Sequence, residues 1–464
     1  MIYLSIYLII YLIYFIVTSI FLTLFGSCSP LLKLNGYTDI NVLFTIGRAI
    51  IHGKRLYTDI FDHKGPILYF IYALCSLISE KTYFGIFLIE ILCISVFLYY
   101  SEKITKLLFN KNYTFFHSFC CLILIVSNAF NGGGGTVEEF FLPIFQITNY
   151  ICLKKITRNE SFTSKECIII GIFACLSFLS KFTLAGYYLG LALCLIIYQY
   201  KTNKNKIISC IIFTLSAFFI TFVITCSYFI FNNNFTDFID TYFLFNLFNY
   251  QGLSRSFIVK LLTQFNQYIF YLKKNIIFTL LSLLGLLYTI IHYKKSYITV
   301  FIASTFLIWN LFTFFNCSMR VSYYVLPIAI YMPFSAELIS KIKFNKLIFV
   351  AFVFYYVFTS SNHISQNTPE EDYVQYEFAK IIGDSSFTIY REFDCGFFFT
   401  TQQTPACKYF TQVNGNIEDY ESNTLNCIEE NQIEYLISGD PELQLENYSL
   451  IKSRGVFYLY KLNP

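Results

Sequence analysis

Charged side chains are scarce in this chain. Only 13% of its 464 residues are charged and 56% are hydrophobic, with a mean hydropathy of +0.55, whereas an average soluble protein is about 25% charged. So few charges cannot cover the surface of a soluble protein, and so apolar a composition excludes disorder. Apolar stretches long enough for a spanning helix, about 20 residues, recur along most of the chain. The composition predicts a polytopic α-helical membrane protein.

Basic arms and paired cysteines are also missing. The net charge is only +4, and no RNA-reading motif occurs, so we expect no nucleic-acid partner. None of the 15 cysteines belongs to a C-x-x-C pair, which leaves a zinc or redox function with little support. The apolar start has no basic region and no cleavage site, and it predicts a retained first helix rather than a signal peptide.

The basic residues that do occur form short clusters between apolar runs. Placing these clusters in the cytoplasm satisfies the positive-inside bias and puts the N-terminus inside and the C-terminus outside. About eleven transmembrane helices follow from this pattern. The predicted spans are 2–25, 82–101, 114–130, 139–153, 167–180, 183–199, 207–231, 275–292, 297–315, 321–339 and 347–361.

The composition changes after residue 361. We therefore predict a transmembrane domain over 1–361 and a small extracytoplasmic α/β domain over 362–464, a length sufficient for a core of its own. The predicted elements are helices at 372–382 and 417–430, strands at 387–390 and 433–438, and a hairpin over 448–461 that turns at Arg454-Gly455. Cys395, Cys407 and Cys427 allow one disulfide, whose pairing the sequence leaves open.

The first outer loop, about residues 26–81, breaks the charge rule. It should be poor in basic residues, yet acids, cations and histidines are interleaved there beside apolar helical stretches. These residues are Lys33, Arg48, Lys54, Arg55, Lys64, Asp39, Asp59, Asp62, His52 and His63. Cations neutralise phosphate, and a carboxylate accepts a proton from an attacking hydroxyl. The loop therefore suits a lipid-linked anionic substrate at the membrane interface.

Structural explanations compete at each position of this loop. Asp39 could cap the helix that follows Thr38, and Asp59 has the same alternative, because Asp is a preferred N-cap. His63 could be a solvated loop residue. Lys64 is the strongest candidate, since it precedes Gly65-Pro66 at a helix start, where a phosphate could also meet exposed N–H groups.

The second outer loop carries two further acids. Thr136 followed three residues later by Glu139 predicts a capping box, so Glu138 is the freer carboxylate. Carboxylates from two loops could divide acid and base roles or share a metal. If a divalent cation is bound, we expect Asp39 and Glu138 to hold it; no other cofactor is indicated.

Two later outer positions complete the candidate set. Lys181 interrupts apolar sequence in L-S-K-F-T, where an ionisable residue is a functional candidate by default; snorkelling to the headgroups is its alternative. Arg320 and Tyr323 begin the tenth span, where membrane-interface anchoring explains the tyrosine equally well.

The run Asp39 to Pro66, D-I-N-V-L-F-T-I-G-R-A-I-I-H-G-K-R-L-Y-T-D-I-F-D-H-K-G-P, resembles the first outer loop of bacterial GT-C-type glycosyltransferases. These are the enzymes related to protein mannosyltransferases, aminoarabinose transferases and the lipopolysaccharide-core Rgt group. T-V-E-E, S-K-F-T, R-V-S-Y-Y-V-L-P and a C-terminal soluble domain follow in the family's order. The resemblance extends over nearly the whole chain.

This resemblance implies a multi-pass enzyme of the bacterial cytoplasmic membrane. It would transfer a hexose or pentose from a polyprenyl-phosphate donor to a lipid, glycan or protein acceptor outside the membrane, in cell-envelope biosynthesis. Asp39 matches the catalytic carboxylate, and because Ile40 rather than a second acid follows it, a single base is favoured over a metal role. Lys64 matches the lysine associated with the donor phosphate.

The remaining candidates have secondary roles in this hypothesis. Arg48 and Lys181 would also bind the donor phosphate, and Lys181 matches the family's turn lysine. The supporting residues would be Asp59, Asp62, His63, Glu138, Glu139, Arg320 and Tyr323. Three alternatives stay open: a lipid-linked oligosaccharide transporter, a polysaccharide polymerase or ligase, and a non-catalytic membrane assembly protein. A transporter would need charged residues near the midplane of the bilayer. A polymerase or ligase would need a large outer loop between two spans.

Overall fold

The computed structural model describes residues 2–109, 121–126, 134–249, 257–274, 276–316, 321–341, 361–413, 415, 417, 420–443, 445 and 447–464. The helices are α1 (Ile2–Phe25), α2 (Thr38–Ile51), α3 (Pro66–Ile78), α4 (Phe84–Phe109), α5 (Val137–Arg158), α6 (Ser164–Phe178), α7 (Phe182–Thr202), α8 (Ile207–Phe231), α9 (Phe235–Phe238), α10 (Phe257–Lys274), α11 (Ile276–His292), α12 (Tyr297–Asn316), α13 (Val321–Tyr331), α14 (Ala336–Lys341), α15 (Ser361–Ser365), α16 (Val374–Ile382), α17 (Phe397–Thr401) and α18 (Tyr420–Glu430). A π-helix follows α9 over Ile239–Asn249, and the strands are β1 (Phe387–Ile389), β2 (Tyr435–Ser438), β3 (Tyr448–Arg454) and β4 (Phe457–Leu462).

Within the described residues, five helices are long and apolar enough to cross a membrane. They are Leu8–Phe25, Phe84–Phe109, Phe182–Thr202, Lys204–Phe231 and Tyr297–Phe314. Each coincides with a predicted span, and this arrangement fits a multi-pass membrane protein. The predicted spans at 114–130 and 347–361 fall largely outside the described residues, so the count of eleven stays a prediction.

The chain divides into two compact units. The first consists of residues 1–26, 88–225 and 255–363 and contains most of the long apolar helices. Its helices α7 and α12 pack closely because small residues face the partner: a β-carbon at Gly190 would collide with the Ser304 carbonyl oxygen. Small residues at helix contacts let backbones approach each other inside a membrane. The Trp309 indole also donates to the Thr183 carbonyl at 3.1 Å.

The second unit consists of residues 27–87, 226–254 and 364–464. It pairs α2 with α3, which approach closely because Gly47 of α2 lies against the main chain of Tyr72. It also holds a four-stranded sheet of order β1-β2-β4-β3, in which only β1 and β2 run parallel. One face of this sheet contributes Leu436 and Tyr460 to a small buried core with Ile428 of α18.

The predicted elements of the tail are confirmed with small shifts. The helices begin at Val374 and Tyr420, the strands lie at Phe387–Ile389 and Tyr435–Ser438, and the hairpin turns between Arg454 and Phe457. A disulfide joins Cys407 to Cys427, which resolves the pairing that the sequence left open. The domain boundary predicted at residue 361 stays a prediction.

Candidate functional site

Lys64 lies between two carboxylates in the second unit. Its Nζ is 3.1 Å from Oδ2 of Asp62 and 3.9 Å from Oδ1 of Asp39. The Asp62 side chain is 10% exposed, whereas that of Asp39 is 36% exposed. Asp39 is therefore the more accessible of the two carboxylates. We call Asp39, Asp62, His63 and Lys64 the Lys64 cluster.

Helix starts position both ends of this cluster. Asp39 lies in the first turn of α2, where a carboxylate is favoured by the helix dipole, and the N-cap is Tyr37. The alternative that Asp39 itself caps the helix is therefore wrong. Lys64 precedes Gly65, the N-cap of α3, and Pro66 is at the first helical position, as predicted from Lys-Gly-Pro.

Two buried tyrosines hold the main chain of Lys64. The Tyr57 hydroxyl donates to the Lys64 carbonyl at 2.7 Å, and the Lys64 N–H donates to the Tyr69 hydroxyl at 3.0 Å. Burial raises the pKa of both phenols well above its usual value, so both remain protonated. Tyr57 has a φ of 70°, a conformation that an aromatic residue adopts only where its surroundings enforce it.

Sequence reasoning missed these two tyrosines. The chain contains 39 tyrosines, and no spacing rule separates Tyr57 and Tyr69 from the rest. Their role becomes visible only when loop one folds back on itself.

Asp62 is the buried counter-ion of the cluster. Burial alone raises the pKa of its carboxyl, but attraction to Lys64 and a hydrogen bond with His63 outweigh burial and hold the pKa well below its usual range. The main-chain N–H of His63 also donates to Oδ1 of Asp62, at 2.8 Å. Asp62 is therefore an ionised partner for Lys64 rather than a proton acceptor.

His63 is buried rather than solvated. Its Nδ1 lies 3.2 Å from Oδ1 of Asp62 and its ring packs 5.7 Å from that of Phe245. Asn246 of the π-helix donates to its carbonyl oxygen at 2.7 Å. The interpretation of His63 as a solvated loop residue is wrong.

Asp59 and Arg48 make different contacts. Asp59 closes a local turn: its Oδ1 is 2.9 Å from Nη2 of Arg55, and this hydrogen bond lowers the pKa of Asp59. Arg48 is fully buried on α2 and donates to the carbonyls of Phe398, at 2.6 Å, and of Gln403. Their predicted substrate roles stay predictions, and the contacts seen here are structural.

The first unit carries its own polar pair. Nζ of Lys181, at the N-cap of α7, lies 2.5 Å from Oε1 of Glu138, and the two side chains are 16% and 3% exposed. The predicted capping box is confirmed: the Thr136 N–H donates to Glu139 at 2.7 Å and the Glu139 N–H to Thr136 at 3.4 Å. The box anchors the first turn of α5 and leaves Glu138 directed at Lys181.

Arg320 lies outside the described residues. Tyr323 is in α13, and at this residue the structure describes the main chain alone. Their predicted roles stay predictions.

If a divalent cation is bound, its expected ligands Asp39 and Glu138 belong to different units, and this expectation stays a prediction. Across the part of the chain that the structure describes, no three His, Cys, Asp or Glu side chains are grouped as metal ligands. Between Asp39 and Asp62 the positive charge is the Lys64 ammonium itself.

Residues 63–229, less than half of the chain, match the model of the dolichyl-phosphate-mannose-protein mannosyltransferase family. No curated protein sequence matches the chain.

Solved structures match over all or nearly all of the chain. ArnT from Cupriavidus metallidurans, crystallised with undecaprenyl phosphate, is 11% identical with a TM-score of 0.60, covering 100% of this chain and 98% of that one. Its apo form is also 11% identical, with a TM-score of 0.61 and the same coverage. An Archaeoglobus fulgidus oligosaccharyltransferase is 12% identical over 92% of this chain and 69% of that one, with a TM-score of 0.48. The two ArnT structures confirm the predicted resemblance at the level of the fold: the chain has an ArnT-like GT-C fold.

Proposed function

We propose that this protein is a glycosyltransferase that uses a polyprenyl-phosphate sugar as donor. It transfers the sugar to a lipid, glycan or protein acceptor on the outer face of a bacterial cytoplasmic membrane. The observation that carries the proposal is the Lys64 ammonium held between a buried carboxylate and an accessible one, Asp39, in a chain with the GT-C fold. The undecaprenyl phosphate bound to the ArnT of similar fold supports the class of donor.

Asp39 acts as the base in this proposal. Its carboxylate takes the proton from the acceptor hydroxyl, whose oxygen attacks the anomeric carbon of the donor sugar. The bond between that carbon and the phosphate oxygen breaks, and the electron pair leaves with the lipid phosphate. The partial exposure of Asp39 is what this role needs, since a general base must come within hydrogen-bond distance of the substrate hydroxyl.

Lys64 stabilises the charge on the departing phosphate. A fixed cation aimed at developing negative charge lowers the barrier because it need not reorganise during the reaction. The tyrosine bonds to its main chain and its ion pair with Asp62 restrict where the ammonium can lie. Asp62 keeps the cation in place in the free enzyme.

Lys181 and Glu138 form the second polar centre of the proposal. Lys181 matches the family's turn lysine, and the proposal assigns it to the donor phosphate and Glu138 to a supporting role. An ion pair with both side chains largely buried is costly to form, which favours a functional reason for its presence.

Replacing Asp39 with Asn tests the base. We expect kcat to fall about 10²–10⁴-fold with purified protein, a labelled polyprenyl-phosphate sugar and a membrane-lipid acceptor. Donor binding should change little, because Asn keeps the shape of the side chain.

Asp384→Asn is the matched control, because Asp384 is an exposed aspartate of the same unit. It should keep wild-type turnover. Full turnover by the Asp39→Asn variant would remove Asp39 from the mechanism.

A further inference from the structure

Residues 394–410 contact both parts of loop one that carry the Lys64 cluster. The Asp394 carboxylate, which is fully buried, lies at the start of this segment. Its Oδ2 accepts from the Thr45 hydroxyl of α2 at 3.0 Å, while Oδ1 accepts from the N–H groups of Gly396 and Phe397 at 2.9 and 2.8 Å. One side chain therefore joins the segment to α2.

Arg48 makes a second connection on the same face of α2. It is three residues after Thr45, so the two side chains are neighbours on the helix surface. Its Nη2 donates to the carbonyls of Phe398 and Gln403. Two adjacent anchors restrict both the position of α2 and its rotation about its own axis.

The other end of the segment contacts the irregular stretch of chain before Lys64. The Phe61 N–H donates to the Lys408 carbonyl at 3.0 Å, and the Phe61 ring packs 5.2 Å from that of Tyr409. The adjacent Cys407 is tied to Cys427 of α18 by the disulfide. Phe61 directly precedes Asp62, so this contact lies one residue from the Lys64 cluster.

We infer that segment 394–410 sets the separation of Asp39 from Lys64, with Asp394 as its principal positioning residue. The inference rests on the proposed function for the catalytic meaning of that separation. Asp39 lies less than two helical turns before Thr45, so a small rotation of α2 moves its carboxylate. A displacement of about 1 Å in a reacting group can cost about 10²-fold in rate.

Replacing Asp394 tests this inference in the full-length protein. We expect Asp394→Ala to lower kcat about 10²-fold with little change in the KM for the donor, because base alignment rather than phosphate binding is lost. Asp394→Asn should restore activity to within about threefold, since its amide oxygen can accept the N–H groups and its amide nitrogen can donate to Thr45. Thr45→Val removes only one hydroxyl and should lower kcat less than Asp394→Ala does.

Asp440→Ala is the matched control. Asp440 also accepts a main-chain N–H, that of Glu442 at 3.0 Å, elsewhere in the tail. It should leave kcat unchanged. Equal losses in Asp394→Ala and Asp440→Ala would contradict a positioning role.

Hydrogen exchange gives a readout that does not depend on activity. In Asp394→Ala, the main-chain amides of residues 38–51 and 61–65 should exchange faster, while those of α7 do not change. Unchanged exchange in both segments would overturn the inference even if the wild type transfers sugar. If these amides exchange faster in Asp394→Ala but the wild-type protein transfers no sugar, the positioning role of Asp394 stands. The proposed function is then refuted.

Discussion

At the residue scale, Asp39 and Asp62 share one lysine but have opposite environments. Asp62 is buried, accepts hydrogen bonds and lies 3.1 Å from the ammonium, whereas Asp39 is more exposed and 3.9 Å away. Because the Lys64 ammonium and hydrogen bonds stabilise the ionised form of Asp62, its carboxylate binds protons weakly. Asp62 is therefore a poor general base. The division of roles between the two aspartates follows from burial and hydrogen bonding rather than from residue type.

This difference predicts how stability depends on pH. Because the pKa of Asp62 in the folded chain lies below the unfolded value of about 3.9, the ionised form stabilises the fold above that value. The contribution is lost as the pH falls through the folded pKa. The stability difference between wild type and Asp62→Asn should therefore be constant from about pH 8 to about pH 5 and shrink only below about pH 4.

Thermal unfolding of the purified proteins across this range measures the difference. Asp384→Asn, at an exposed position, should match the wild type throughout. A difference that already shrinks between neutral pH and about pH 5 would contradict the depressed pKa.

Arg48 of loop one could either anchor α2 or bind the donor phosphate, and replacing it distinguishes these two roles. If it is an anchor for α2, Arg48→Met leaves the carbonyls of Phe398 and Gln403 without their donor, and the free energy of unfolding should fall by about 3 kcal/mol. If it binds the donor phosphate, the same change should raise the KM for the donor at unchanged thermal stability. Its complete burial leads us to expect the first result, in thermal unfolding and donor titrations on the same preparation.

At the element scale, local patterns were sufficient for much of the fold. The Thr136–Glu139 capping box and the hairpin around Arg454-Gly455 were predicted correctly because each depends on residues a few positions apart. The five long apolar helices were predicted because hydrophobic length alone decides them.

The site needed information that spacing does not contain. Arg48 reaches carbonyls 350 and 355 residues later in the chain, and Lys181 is 43 residues from Glu138. No local rule indicates which of several loop-one cations is buried against a distant main chain. The resemblance placed Asp39 and Lys64 in one loop, and the structure adds that Asp62 and two tyrosines hold Lys64 there.

At the scale of the whole molecule, the two units differ in the environment that suits them. Most of the long apolar helices belong to the first unit, which a bilayer would stabilise. The second unit holds the Lys64 cluster, the sheet and the Cys407–Cys427 disulfide. Disulfides persist in oxidising compartments and are rare in the cytosol, so the disulfide favours an extracytoplasmic position for this unit.

Membrane orientation is therefore the prediction on which the proposed chemistry depends. Basic residues at Lys201, Lys204 and Lys206 should lie in the cytoplasm, while loop one and the tail lie outside. Alkaline phosphatase, which is active only after export, can be fused after Lys81, after Lys206 and after Pro464. We expect activity for the first and third fusions and none for the second. A fluorescent protein that is fluorescent only in the cytoplasm, fused at the same three positions, should give the reverse pattern. This control shows whether a missing signal reflects poor expression of one fusion. Phosphatase activity after Lys206 with none after Lys81 would place Asp39 in the cytoplasm, where the proposed outer-face transfer could not occur.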